Sequence, residues 1–77
     1  MESLKELEIV VLTRPLPEHA LVEGDVGTVV HVYRRENAVE VEFVEGDGST
    51  VAVVTLGPAE FRTMQPREIL HVREYVA

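Results

Sequence analysis

The chain has 77 residues, no cysteine or tryptophan, and 14 acidic against 7 basic side chains, for a formal charge of −7. That length allows one small domain, which removes only roughly 60 % of its unfolded surface from water. Lacking cysteine, it has no disulfide framework, thiol nucleophile or thiolate metal site.

The N-terminus, Met1 to Glu6, is acidic and lacks the basic start and apolar stretch of a signal peptide. The longest apolar runs, Ile9 to Leu12 and Val51 to Val54, fall far short of the ~20 residues of a membrane-crossing helix. The expectation is a soluble, cytoplasmic, single-domain protein. Ser3-x-x-Glu6 reads as a capping box for one helical turn. Fifteen valines then favour the pleated surface over the helix. Glu8 to Thr13 predicts a first strand, ended by Arg14-Pro15-Leu16-Pro17, whose prolines cannot continue a ladder. An extended loop follows as far as Gly24-Asp25, and Val26 to Tyr33 predicts the second strand. Arg34 to Asn37 forms a hairpin loop to the third, Ala38 to Val44. There the period-two signal is clearest, with Val39, Val41 and Phe43 on one face and Glu40 and Glu42 on the other. Glu45-Gly46-Asp47-Gly48-Ser49 makes a tight hairpin into a fourth strand, Thr50 to Leu56. Gly57-Pro58 breaks the pattern, and Pro58 suits the start of a single helical turn. Phe61 to Met64 follows as a short fifth strand. The tail reads two ways: Ile69, Val72 and Val76 could share a helical face, while Leu70 and Val72 alternate as in a strand. A turn at Pro66 to Glu68 and a short strand from Ile69 to Arg73 is the preferred reading.

Five to six short strands, one long loop and tight hairpins predict an all-β fold, a small antiparallel SH3-like barrel. An open sandwich or an OB-type barrel competes, but Glu45 to Ser49 is too short for the helix an OB barrel carries between its third and fourth strands. The expected core is Val26, Val30, Val39, Val41, Phe43, Val54 and Leu56, with Phe43 the largest contributor. Gly24 is expected at positive φ, and Gly27 where a side chain would collide with a neighbouring strand.

The run Gly24-Asp25-Val26-Gly27-Thr28-Val29 resembles the KOW motif of SH3-like barrels in translation and transcription factors and in nitrile hydratase beta subunits. Its neighbours here are Glu18, Glu23 and Asp25 instead of the basic residues of nucleic-acid-binding members. A longer succession runs through Val10-Val11-Leu12-Thr13, Leu16-Pro17-Glu18, Gly24 to Val30, Val41-Glu42-Phe43 and Ile69 to Arg73. It resembles the bacterial "domain of unknown function 4926" family. That resemblance implies a small SH3-like protein with no established activity, and an antitoxin or immunity role from its similarity to proteins encoded beside small toxin-like genes.

Candidate chemistry is sparse. His19, His31 and His71 form no metal-ligand spacing, and His31 reads as a packed or rim side chain within a strand. No hydroxyl lies in a nucleophile motif. Asp25, Glu45 and Asp47 lack the twelve-residue spacing of a Ca²⁺ loop. No catalytic residue, cofactor or metal is therefore expected. Residues 1–47 hold eleven acids and four bases, and the remainder three of each, so the whole charge lies in the first part. An acidic surface repels nucleic acid and anionic lipid and suits a basic protein partner. The residues assigned to such docking are Glu40 and Glu42 on the third strand with Glu45 and Asp47 in its hairpin. The bland alternative is that these carboxylates only keep a valine-rich domain soluble. A KOW-like nucleic-acid or ribosome-associated domain, or an accessory domain of a larger enzyme, are the other functional readings.

Overall fold

A computed structural model describes residues 4–77. It contains five strands: β1 (Ile9–Leu12), β2 (Val26–Tyr33), β3 (Ala38–Val44), β4 (Thr50–Leu56) and β5 (Phe61–Thr63). They form one antiparallel sheet in the order β4-β3-β2-β1-β5. The fold is all-β, and the bounds of β2, β3 and β4 coincide with those expected from the sequence. The capping box at Ser3 lies outside the described residues.

One apolar cluster takes side chains from all five strands: Val10 and Leu12, Val29, Val39 with Val41 and Phe43, Leu56, and Phe61. The sheet must roll to achieve this. Residues 57–60 alone link β4 at one edge to β5 at the other, a reach of roughly 17 Å against roughly 19 Å across five flat strands. Gly27 permits the bend. A Cβ there would lie 2.5 Å from Val41 Cγ1 and 2.9 Å from Phe43 Cε1, so β2 presses on β3 where only glycine fits. The roll stops short of closure: β5 pairs with β1 and β4 with β3, but β4 and β5 share no ladder. The closed barrel expected from the sequence is thus an open, rolled sheet. Pro58 has no N–H, and Gly57 to Glu60 form a hydrogen-bonded turn in place of the expected helical turn.

The core differs from expectation on β2. Val39, Val41, Phe43 and Leu56 are buried, and Val54 packs against them part-buried. Val30 is exposed, however, and Val29 is fully buried in its place. The cause is a register shift between Val29 and His31: Val29 pairs with Val41, His31 with Glu40, and Val30 is the extra residue. Val26, Val30 and Val32 share a parity that reads as the core face only if the strand is regular. Val26 is half-buried.

The loop after β1 is also more ordered than an extended connection. Pro17–His19 form a 3₁₀ turn, and Leu16 and Leu21 bridge across it through paired backbone bonds of 2.9 and 3.2 Å. Both leucines enter the core. Gly24 takes φ 94°, as expected, and its N–H donates to Leu12 O at 2.9 Å.

The tail forms no sixth strand. A turn does occur at 65–68, where the Glu68 N–H donates to Gln65 O, but beyond it the chain has no ladder partner. Pro66 and this turn carry it away from β5. Ile69, Leu70 and Val72 stay exposed.

Candidate functional site

Regular pleating of β3 buries Val39, Val41 and Phe43 and directs Glu40 and Glu42 to the outer face, both half-exposed. Cross-strand neighbours then decide what each carboxylate meets. Glu40 lies opposite Thr55 of β4, whose hydroxyl donates to Glu40 Oε1 at 2.8 Å. A hydrogen bond from the Tyr33 hydroxyl to the same carboxylate raises the phenol above its ordinary pKa. Glu42 accepts from the Thr50 hydroxyl at 2.7 Å. Each carboxylate therefore stands fixed by β-sheet hydroxyls, with no cation among the described residues in an ion pair with it. The ion pairs Arg62–Glu68 and Arg73–Asp25, and the contact of His31 with the Glu6 carboxylate, use none of the four candidate carboxylates.

The hairpin pair serves other ends. Asp47 Oδ1 accepts from the Ser49 N–H at 2.9 Å, and that bond holds its carboxyl below the ordinary range. The turn is completed by Gly48 at φ 90° and by the Glu45–Ser49 and Gly48–Glu45 backbone bonds, both 2.8 Å. Glu45 and Gly46 line a groove at the base of the hairpin. So the structure joins Glu40 and Glu42 as one outward pair, and places Asp47 in a turn at its end and Glu45 at a groove rim.

That groove runs beneath the tail and is floored by Leu21, Val26, Phe43 and Val51. Side chains hold the tail over it. Arg73 grips Asp25 with both ends of its guanidinium, Nε to Oδ1 at 2.8 Å and Nη2 to Oδ2 at 2.6 Å. Its Nη2 also donates to Ala20 O, and the Tyr75 hydroxyl donates to His19 O at 2.9 Å. Burial raises the Asp25 pKa, but the hydrogen bonds from Arg73 and the Val22 N–H, with the Arg73 charge, outweigh it and hold the carboxyl below its ordinary value. Sequence reasoning missed this clasp because its partners are 48 and 56 residues apart, and no local pattern links them.

The histidines stay apart. His31 is an exposed rim residue, edge-on to Tyr33 at 4.5 Å and 3.5 Å from the Glu6 carboxylate. His71 lies exposed at the groove, and His19 offers its carbonyl to Tyr75. Among the described residues, no three potential metal ligands cluster, and no helix is long and apolar enough to cross a membrane.

No curated protein and no solved structure matches the chain. A family model does match, over residues 6–63. This stretch runs from just before β1 to the end of β5, so it takes in the glycine turn and the acidic outer pair but not Ile69 to Arg73. With three quarters of its length matched, the chain belongs to the family described as Domain of unknown function (DUF4926).

Proposed function

We propose that the protein is a non-catalytic, cytoplasmic interaction module whose acidic outer face docks a basic protein, in the manner of the neutralising half of a toxin–antitoxin or immunity pair. One observation carries the reading: Glu40 and Glu42 project from the same face of β3, held by the Thr55 and Thr50 hydroxyls and paired with no cation among the described residues. Carboxylates fixed in this way are ready to meet guanidinium or ammonium groups, with little side-chain entropy left to lose. Asp47 and Glu45 extend the negative field beyond the strand end. The main effect is on association rate and on rejection of acidic partners, because rim charges add little affinity after desolvation. The nucleic-acid reading rests on the glycine motif, and both glycines have structural duties: Gly24 a positive φ and Gly27 a close strand contact.

The test is the double reversal Glu40→Lys with Glu42→Lys, measured against the basic protein recovered with the wild type from its native host. Wild-type binding should weaken as salt rises, since the Debye length falls from ~10 Å at 0.1 M to ~3 Å at 1 M. The reversal should abolish it at low salt while the thermal melt still shows a folded domain. Unchanged association would remove the docking role from this face, and tight RNA binding at physiological salt would favour the KOW-like alternative.

A further inference from the structure

We infer that β4 is a dimerisation edge, on which a second copy of this chain pairs its own β4 in antiparallel fashion. The open sheet leaves two edges, and they differ. The β5 edge is three residues long and carries Arg62, which is held by Glu68 in a two-point ion pair of 2.8 and 2.6 Å. The β4 edge is seven residues long, Thr-Val-Ala-Val-Val-Thr-Leu, with no charge and no proline. Its inner side is laddered to β3 from Thr50 to Leu56. On its outer side, none of the loop, turn or cap backbone bonds of the described residues involves Val51 to Leu56. An edge strand normally carries lysine, proline or a bulge that discourages pairing. The only such device here is the register shift between Phe43 and Val44, opposite the first residues of β4. It leaves Ala52 to Leu56 regular.

The strand also indicates its partner. Unpaired N–H and C=O groups in a row call for another extended chain. Being uncharged, a second β4 brings no ion into the seam. A basic strand, in contrast, is drawn to Glu40 and Glu42 on the face and not to the edge. Antiparallel self-pairing has a two-fold axis, so each residue meets one from the same face of the other sheet. On the outer face Val53, half-exposed in the single chain, comes against Val53 or Thr55 of the second copy; Ala52 and Val54 meet their like below. Both hydroxyls of β4 are already turned to Glu40 and Glu42, leaving the seam apolar. The symmetry closes after two copies, because each has a single long edge. The contact is small compared with the roughly 800 Å² per partner of a standard stable interface, so the dimer is reversible.

Charge sets the sign of the salt response. Two copies of −7 repel, and the seam holds no ion pair to lose, so salt strengthens self-association where it weakens docking of a basic partner. Sedimentation velocity over a concentration series, at about 0.05 M and about 0.5 M salt, should show a monomer–dimer equilibrium. Its dissociation constant should fall about 3- to 10-fold at the higher salt. Val53→Lys places a cation opposite Glu42, which suits the fold, yet puts a charge in the seam; it should remain monomeric in both conditions. Amide exchange of the wild type gives an independent check: protection of Ala52 to Thr55 should rise with protein concentration. The proposal is overturned if the wild type stays monomeric throughout, if Val53→Lys dimerises equally well, or if those amides gain protection only when a different protein is added.

Discussion

Gly24 and Gly27 are three residues apart and are glycine for different reasons. At Gly24 the backbone sits at φ 94° with open space where a side chain would point; at Gly27 the space is already filled by Val41 and Phe43. Asparagine tolerates the left-handed region, so Gly24→Asn should cost less than about 1 kcal/mol, whereas Gly27→Asn must displace a neighbouring strand and should cost more than about 3 kcal/mol. Urea denaturation of the two variants checks the difference. The β2 bulge allows an equally sharp comparison. Val29→Thr buries a hydroxyl and should destabilise by about 1–3 kcal/mol, while Val30→Thr, on the exposed side, should stay within about 0.5 kcal/mol of wild type. Equal losses would mean the register shift is misplaced. Phe43→Ala should cost about 3–5 kcal/mol, since its ring is buried in the cluster that all five strands share.

Elements governed by neighbours in sequence are legible from it. In β3 the alternation of Val39, Glu40, Val41, Glu42 and Phe43 is its own evidence of register, and the Gly46 to Ser49 turn fixes where β4 begins. A bulge is not legible in this way, because Val30 is as apolar as Val29. Neither are the burial of Leu16 between two prolines and the clasp on the tail, which depend on groups brought together only by the finished sheet. The tail has a measurable weakness. Its Asp25–Arg73 pair is partly solvated, with side-chain exposures of 15 % and 36 %, so Arg73→Ala should lower stability by less than about 1 kcal/mol. It should nevertheless speed amide exchange across 70–76 and leave the strands unchanged. Acid should act similarly. Because the folded Asp25 pKa lies below its ordinary 3.8, the pair contributes fully above that value and is lost as pH falls through the lower, folded one. Tyr75 fluorescence and amide exchange followed between pH 5 and about 2 should show the tail loosening before the sheet melts.

At the scale of the whole molecule, a net charge of −7 on 77 residues opposes compaction. The melting temperature of the monomer should therefore rise on moving from low to moderate salt, and level off once the Debye length is shorter than the spacing between carboxylates. A fall with salt would mean that ion pairs such as Arg62–Glu68 outweigh the general repulsion.

The order of strands in the sheet also has a consequence in time. β2, β3 and β4 are joined by short hairpins, whereas β1 meets β5 through partners about fifty residues apart, Val10 with Thr63 and Leu12 with Phe61. Closing so long a loop is entropically costly until other contacts have shortened it. The three-stranded meander should form in the rate-limiting step and the β1–β5 ladder after it. Stopped-flow measurements should then find that Val41→Ala slows refolding, while Phe61→Ala leaves refolding nearly unchanged and accelerates unfolding.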